Sequence, residues 1–328
     1  MKLASLKKGG RDGSLILVSR DLLRYVSAED ISPTLQAALD DWQQVAPRLN
    51  ARYEELNRDE CTGIQVMDVR ALAAPLPRAF EFVDGSAYLP HVERVRRARG
   101  AEVPESFYVD PLMYQAVSAG FLGPRDPVPV VSEDHGIDFE SEIVVLTDDV
   151  PMAVTPENAE AHIQLIGLIN DVSLRNLIPG ELAKGFGFLQ SKPRSTLSPV
   201  LVTPDELGEQ WQDSKLSLPL HSTLNGAFFG EPEAGVDMQF NFAQLIAHAA
   251  KTRPLTAGTI VGSGTIANED TAKGASCLAE IRMLEIIADG KPSTPFMKFG
   301  DTIRIEMFDL QGDSIFGAIE QEIVSHET

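Results

Sequence analysis

Three carboxylates alternate along one short stretch, where Asp138, Glu140 and Glu142 precede the apolar run 143–146. Residues two apart in a β-strand face the same side, so these acids would line one face while Phe139 enters the core. Like charges this close repel each other, and a bound cation would compensate them. A solvent-facing edge strand with hydrated acids fits the same pattern, so the stretch alone leaves both interpretations open.

A second polar group ends an apolar run. Residues 164–169 predict a buried strand, and Asn170 and Asp171 follow it directly, with Arg175 close behind. A rigid strand aims the side chains at its end, which makes Asp171 a candidate site residue. The alternative is a simple helix cap at this position.

The donor types restrict the metal. No His or Cys pairs stand at zinc-binding spacings, so oxygen ligands would favour Mg²⁺, Mn²⁺ or Ca²⁺ over a structural zinc. The glycine pairs complete no nucleotide-binding motif, and no Gly-x-Ser-x-Gly elbow occurs. Cys61 and Cys277 lack a nucleophile signature and are expected to be structural.

The elements that must position these residues are mainly strands. Apolar or alternating runs predict strands over 15–18, 22–26, 137–146, 164–169, 216–224, 259–262, 279–287 and 302–307. Helices are predicted over 33–57 (with Ser32 as N-cap), over 240–250, and over 173–184 if Pro179 permits. Many strands with sparse helices indicate an α+β, mostly β fold that is closed or rolled to hide its edges.

A connector over 71–77 suggests two domains, a small N-terminal α+β domain over 1–73 and a larger domain over 74–328. The formal net charge of −20 argues against nucleic acid and anionic membranes as partners. The basic run 94–99 is predicted to be a solvated helix face. No long apolar segment occurs, and only two Cys are present, so we expect a soluble protein in a reducing, cytoplasmic compartment.

These motifs together resemble those of the fumarylacetoacetate hydrolase family. Residues 138–142 resemble its metal-binding strand, and 170–175 its Asn-Asp-x-Ser-x-Arg motif. Residues 264–266, 277–280 and 299–301 are similar to its Gly-Thr-Ile, downstream glutamate and Gly-Asp elements, in the family's order. The resemblance implies a β-roll catalytic domain behind a smaller N-terminal domain, a homodimer, and a small oxo acid substrate.

The resemblance also implies a divalent cation, Mg²⁺ first, held by carboxylates. Carried over to this sequence, the ligands are Glu140, Glu142 and Asp171, with Asp110 as the upstream aspartate. A turn residue before a proline is the other interpretation of Asp110.

The sequence departs from the family's pattern around the pocket. The family histidine that helps to activate water stands seven residues after the first aspartate ligand, and with Asp110 as that ligand the position is Val117. The family lysine aligns with Ser191, one residue before Lys192, and the family glutamine is Ile178.

Candidate catalytic residues are therefore His135, Lys192 and Glu280. His135, or one of the acids beside it, would activate water unless it is a surface-loop residue. Lys192 would stabilise developing negative charge. Glu280 would orient water or simply lie in a strand.

Candidate substrate contacts are Arg175, Thr265 and Tyr114. Arg175 would bind the substrate carboxylate or form a structural ion pair. The expected reaction is hydrolysis of a C–C bond in a β-diketo or 2-oxo acid. A 2-oxo acid hydratase, an oxaloacetate-type decarboxylase, and a silent metal-binding protein are the alternatives.

Overall fold

Strands dominate the computed structural model, which describes residues 1–98, 100 and 102–326. The first ten strands in chain order are β1 Lys2–Leu6, β2 Ser14–Val18, β3 Arg24–Ser27, β4 Gln65–Val66, β5 Phe82–Gly85, β6 Met113–Gln115, β7 Val128–Val130, β8 Ile137–Asp138, β9 Ser141–Thr147 and β10 Ile163–Asn170. The next ten are β11 Ser173–Leu174, β12 Thr196–Leu197, β13 Leu201–Val202, β14 Trp211–Gln212, β15 Lys215–Leu216, β16 Leu220–Leu224, β17 Ala227–Gly230, β18 Ile260–Gly262, β19 Thr302–Met307 and β20 Ile319–Ser325. The α-helices are α1 Leu35–Leu39, α2 Trp42–Asn57, α3 Leu89–Ala98, α4 Pro156–Ala159, α5 Ile178–Leu182, α6 Phe242–Ala249 and α7 Leu278–Asp289. The predicted α+β, mostly β fold is confirmed.

One mixed sheet runs through the molecule in the order β4-β3-β2-β1-β13-β10-β9-β18-β5-β6, with β12 also paired to β10. Its N-terminal strands pair with strands from the larger domain, since Lys2 on β1 stands opposite Val202 on β13. The sheet therefore crosses the boundary proposed at residue 73, which stays a prediction. A second sheet has the order β17-β16-β19-β20-β7.

Both faces of the large sheet are buried, and its strands show why. Along β9, Ile143 and Val145 join one hydrophobic cluster, while Val144 and Leu146 join the other. The first cluster continues into the five-stranded sheet and α6, and the second into α1 and α2. Continuous apolar runs, rather than alternation, are what a strand buried on two sides requires.

The predicted helix over 33–57 is two helices, α1 and α2, and its N-cap is two residues later than expected. The Thr34 side chain accepts from the backbone N–H of Ala37 at 3.1 Å. Ser32 instead donates its hydroxyl to the Thr34 carbonyl, so the prediction of Ser32 as N-cap was wrong.

Residues 279–287 form helix α7 instead of the predicted strand. Its β-branched and apolar composition suggested a strand, but the ends carry helix signals. Cys277 caps the first turn through its sulfur, and Gly290 closes the helix at φ 78°. These end signals outweigh the composition, because they satisfy the backbone groups that a helix leaves free. The helix predicted over 173–184 is instead strand β11 followed by the short α5, in which Pro179 stands in the first turn.

The basic run lies on helix α3, as predicted, but it is only partly a solvated face. Arg97 is exposed, whereas Arg94 is half-buried and bonded to Glu280. Arg99 lies outside the described residues. Within those residues, none of the helices combines the length and apolar character needed to cross a membrane.

Candidate active site and metal centre

Three buried carboxylates meet where neighbouring strands of the large sheet end. Asp84 on β5, Glu142 on β9 and Asp171 just after β10 each offer an oxygen, and the three oxygens lie within 4.8 Å of one another. Strand β18 lies between β5 and β9, with Gly262 paired to Asp84. Residues 29 to 87 positions apart in sequence therefore converge through strand pairing.

Gly262 at the end of β18 and Gly264 just after it make room for this cluster. A Cβ atom at Gly262 would lie 2.2 Å from an Asp84 carboxylate oxygen. Gly264 has φ +75° and donates its N–H to Asp84 Oδ1 at 3.1 Å. A side chain is sterically excluded at the first position and conformationally disfavoured at the second.

Gly262→Ala is therefore expected to push Asp84 aside and to weaken Mn²⁺ binding by at least about tenfold, as when a ligand loses its orientation. Titration calorimetry of the purified protein measures the loss. Gly180→Ala is the matched control, because a Cβ atom there meets nothing within 4 Å. Equal Mn²⁺ affinity in the two variants would contradict the close approach.

Within the described residues the charges of the cluster are only partly compensated, by Lys192, which donates to Asp171. Burial raises the pKa of Asp84 to about 8, and repulsion by Asp171 adds to that rise. Burial and the charge of Asp84 likewise hold the pKa of Glu142 well above its usual range. Among the described residues, Glu142 Oε2 is buried without a hydrogen-bond partner. Oxygen ligands, excess negative charge and an unused buried acceptor fit a hard divalent cation.

Metal affinity should consequently rise with pH. A cation must displace the proton that Asp84 keeps below its pKa of about 8, so Mn²⁺ binding should tighten about tenfold per pH unit between pH 6 and 8. Without metal, the pH dependence of folding stability has the opposite sign. The folded state holds a proton that the unfolded carboxyl releases near its ordinary pKa, so stability falls as pH rises to about 8.

Calorimetry at pH 6, 7 and 8, in two buffers of different ionisation enthalpy, counts the protons released when Mn²⁺ binds. Thermal unfolding in the presence of chelator follows the metal-free protein. An affinity independent of pH, with no proton release, would contradict this account of the cluster.

Two cations hold the neighbouring Glu140. Arg175 donates from Nη2 to Glu140 Oε1 at 2.7 Å, and Lys192 Nζ donates to Oε2. Burial would raise the pKa of Glu140, but Arg175 and Lys192 lower it to about 2. Glu140 therefore lies beside the three-carboxylate group as a permanently ionised side chain, with both of its oxygens in ion pairs.

Lys192 is the buried bridge between these groups. Its ammonium also donates to Asp171 Oδ2 at 2.6 Å. Burial would lower its pKa, but Asp171 and Glu140 raise it above the usual range. Lys192 thus remains charged and fixes the two carboxylates while facing the cavity.

Arg175 forms the structural ion pair that was one of its two expected roles. Its Nε donates to Asp138 Oδ2 at 2.8 Å. Asp138 in turn accepts from the backbone N–H groups of Leu278 and Ala279, at 2.7 and 2.9 Å. These are the first residues of α7, so Asp138 holds the start of the helix against the carboxylate-bearing strands.

Helix α7 brings Glu280 to His91, which was not among the residues predicted to be catalytic. Glu280 Oε2 lies 2.5 Å from His91 Nδ1, and its other oxygen accepts from Arg94. Burial would raise the pKa of Glu280, but His91 and Arg94 lower it. A carboxylate on Nδ1 fixes the tautomer and leaves Nε2 of His91 as a proton acceptor toward the cavity that it lines.

Asp110 is not at the cluster, contrary to the prediction. Its side chain is 67% exposed and lies beside His248, with 3.4 Å between Oδ1 and Nδ1. Asp84 takes the place assigned to it. His91 stands seven residues after Asp84, so the spacing that failed at Val117 is satisfied. This spacing was the signal available in the sequence.

His135 is likewise not brought to the site. It ends a 3₁₀ turn over Glu133–His135 that Ser132 caps, and it is absent from the residues lining the cavity. Tyr114 and Thr265 do reach the site. Tyr114 donates its hydroxyl to Asp171 Oδ2 at 2.7 Å, and Thr265 contacts Glu142 Oε1 at 3.5 Å.

The cavity beside the cluster has a volume of about 670 Å³. Its floor carries the carboxylates, Lys192 and His91, and its walls come from α3, α7 and the segment after α5. The arrangement offers a cation site and a carboxylate-oriented base in one pocket. Such a combination can polarise a carbonyl and move a proton.

Family models match nearly the whole chain. The model described as "Fumarylacetoacetate (FAA) hydrolase C-terminal" matches residues 81–324, and "Fumarylacetoacetase N-terminal domain 2" matches residues 1–78. The first match alone covers well over half of the chain and includes every residue of the cavity described above.

Relatives and solved structures give the same placement. A 2,4-didehydro-3-deoxy-L-rhamnonate hydrolase of Sphingomonas sp. is 27% identical over 63% of this chain and 69% of its own. An oxaloacetate tautomerase of Xenopus laevis is 25% identical over 66% of this chain and 58% of its own. A maleylpyruvate hydrolase of Sphingobium sp. SYK-6, solved with manganese(II) and pyruvate, superposes with a TM-score of 0.66 at 15% identity, over 100% of both chains.

Proposed function

Since the chain belongs to the fumarylacetoacetate hydrolase family, we propose that it is a divalent-metal-dependent hydrolase of a C–C bond in a β-diketo or 2-oxo acid. Fumarylacetoacetate and acylpyruvates are the substrate types proposed. The observation that carries the proposal is the pair of His91 and Glu280, with Nδ1 and Oε2 2.5 Å apart, because His91 lines the same cavity as Asp84 and Glu142 of the carboxylate cluster.

Asp84, Glu142 and Asp171 would hold the cation, with Glu140 as the fourth ligand, sharing its carboxylate with Arg175 and Lys192. Each carboxylate oxygen has two lone pairs, so an ion pair does not exhaust it. When bound, Mg²⁺ or Mn²⁺ supplies Lewis-acid polarisation of the substrate's oxo group.

The residues of the chain supply the proton chemistry. His91 Nε2 removes a proton from a water molecule, and the resulting hydroxide adds to the carbonyl carbon remote from the acid group. Glu280 stabilises the imidazolium that forms. The C–C bond then breaks, and its electron pair leaves as the enolate of the smaller oxo acid. The His91 imidazolium returns the proton to that carbon.

Lys192 and Thr265 face this reaction from the floor of the cavity. The Lys192 charge lowers the energy of the enolate oxyanion. Since both are held by carboxylates already in the site, neither needs to reorganise as charge develops. Arg175 is a positioning residue in this scheme, because its guanidinium is taken up by Asp138 and Glu140.

Turnover assays test the proposal. Fumarylacetoacetate, acylpyruvates and oxaloacetate are each offered to the protein with Mg²⁺, with Mn²⁺ and with chelator. The expected result is metal-dependent formation of two carboxylic acids from one substrate, one of them pyruvate when the substrate is an acylpyruvate. Metal binding without turnover of any of these acids would point to the silent family member and would reject the hydrolase.

A proton-transfer enzyme is the second candidate, and relatives named oxaloacetate tautomerase favour it, among them the Xenopus laevis protein. His91 alone could move a proton between carbon and oxygen without a water molecule. Loss of the enol absorbance of oxaloacetate, with no carbon dioxide or pyruvate formed, would identify this reaction. Carbon dioxide release would instead identify the decarboxylase, and hydration of a 2-oxo-enoic acid the hydratase.

We also propose a homodimer in the cytoplasm, with an oxo acid as its small-molecule substrate and no nucleic acid or membrane partner. Light scattering after size exclusion should give twice the chain mass of 35.7 kDa. A monomer mass at micromolar concentration would reject the dimer.

A further inference from the structure

The cavity continues beyond the reacting groups along two helices that pack side by side, α3 and α7. We propose that this groove binds a long apolar tail of the substrate, of the medium-chain or arylalkyl class. The inference rests on the proposed oxo acid function and adds to it what the substrate carries at its other end.

Helix spacing sets the direction of the groove. On α3, His91 is followed on the cavity side by Val95 and Ala98, and on α7 Ala279, next to the His91 partner Glu280, is followed by Met283 and Ile286. Residues three or four apart lie on one helix face. Both helices therefore present chemistry in their first turns and apolar surface in the turns that follow, and the two apolar stripes extend for about 10 Å.

The walls of the groove are apolar and incompletely covered. Apolar side chains from five separate segments line it, namely Val95, Phe107, Leu182, Met283, Ile286 and Phe296. Leu182 keeps 44% of its surface exposed. A concave apolar surface left open to solvent is a binding surface more often than not, because covering it releases water at no polar cost.

Two arginines also line the groove, but the guanidinium group of each is stacked on a neighbouring aromatic ring. The Arg282 guanidinium lies 4.0 Å over the Phe296 ring and donates to the Thr294 carbonyl. The Arg96 guanidinium lies 5.0 Å over the Phe107 ring. Stacked in this way they extend the flat aromatic walls, which suits a tail of carbon better than a second carboxylate.

The test compares 2-oxo acids that share one head group. Pyruvate, 2-oxohexanoate, 2-oxooctanoate and 4-phenyl-2-oxobutanoate are titrated by calorimetry into the Mn²⁺-loaded protein. Affinity should rise about threefold to fourfold per added methylene. 2-Oxoadipate is the matched diacid, because it has the chain length of 2-oxohexanoate with a terminal carboxylate. It should bind at least about tenfold more weakly than 2-oxohexanoate.

Substitutions in the wall of the groove test whether the apolar tail binds there. Met283→Asp, which puts a charge in the wall, should reduce the ratio of 2-oxooctanoate to pyruvate affinity by at least about tenfold. Val95→Thr, which keeps the side-chain size, should reduce it severalfold. Ala288→Asp is the control, because it makes the same kind of change at an exposed position of the same helix and should leave the ratio unchanged.

The outcomes separate the two proposals. Pyruvate binding that requires Mn²⁺, with an affinity that does not change with chain length, overturns the apolar tail alone. Tighter binding of 2-oxoadipate than of 2-oxohexanoate also overturns it, in favour of a dicarboxylic acid read by Arg96 and Arg282. If no 2-oxo acid binds with or without Mn²⁺, the proposed function fails together with the tail.

Discussion

Asp84→Asn is expected to lower the affinity for Mn²⁺ by more than about 100-fold, beyond the effect of removing a group that only orients a ligand. The cluster would lose one of three converging carboxylates, and an amide oxygen carries no compensating charge. Asp110→Asn should leave the affinity unchanged, because that side chain is exposed and lies beside His248. Calorimetry of both variants measures the contrast.

Thermal unfolding tests whether Asp84→Asn loses metal binding only because it fails to fold. Without metal, Asp84→Asn should match or exceed the wild type in stability above pH 8, because it removes a buried charge that Asp171 and Glu142 repel. A variant that is stable and yet does not bind metal has lost a ligand, not its fold. Wild-type Mn²⁺ affinity in Asp84→Asn, or a large loss in Asp110→Asn, would reject the cluster.

His91→Gln is expected to lower kcat by about 10²- to 10⁴-fold, the usual contribution of a general base, while metal affinity stays within about twofold of the wild type. Glu280→Gln should show much of the same defect, because the imidazole then loses the carboxylate that orients it. His135→Gln should retain full activity, since that residue lies outside the lined cavity. Steady-state kinetics on the substrate that the turnover assays identify provides the comparison.

The double variant gives a sharper criterion. If His91 and Glu280 act as one unit, the combined loss of kcat will be close to that of His91→Gln alone. The limb of the pH–rate profile that reports the base should also disappear in the His91 variant. Independent, multiplying losses would mean that the 2.5 Å contact between the two side chains has no part in proton transfer.

The sequence was informative wherever one segment contains its own signal. The apolar run 164–169 predicted strand β10 and the acid at its end, and the alternation at 138–142 predicted that Glu142 faces the site. The overall mostly β fold followed from strand frequency. Each of these inferences needs only neighbouring residues, whose spacing fixes which side they face.

The first ligand could not be found in the same way. Asp84 lies inside a strand of only four residues, and its distance from Glu142 depends on strand β18, which enters the sheet from a remote part of the chain. Asp110 was assigned as the upstream aspartate but lacks the family's spacing to histidine, which Asp84 and His91 satisfy. A spacing rule relates two positions, and so it is a stronger guide than local composition.

The role of Arg175 was undecidable for a related reason. Its partner Asp138 accepts from α7, and residues 279–287 had been expected to form a strand. Without the helix there is no reason to place Glu280 opposite His91. Because residues 279–287 were predicted as a strand instead of a helix, neither the role of His91 as a base nor the positioning role of Arg175 could be predicted.

The attachment of α7 has a consequence for how this scaffold can diversify. The first turn of the helix is held by Asp138 of β8 and, through Glu280, by His91 and Arg94 of α3, whereas Met283 and Ile286 farther along the helix line the groove. The outer turns of the helix, with Met283 and Ile286, can therefore be exchanged without moving the reacting groups. A combinatorial library restricted to those outer positions would change which acids the protein binds and leave the catalysed reaction unchanged.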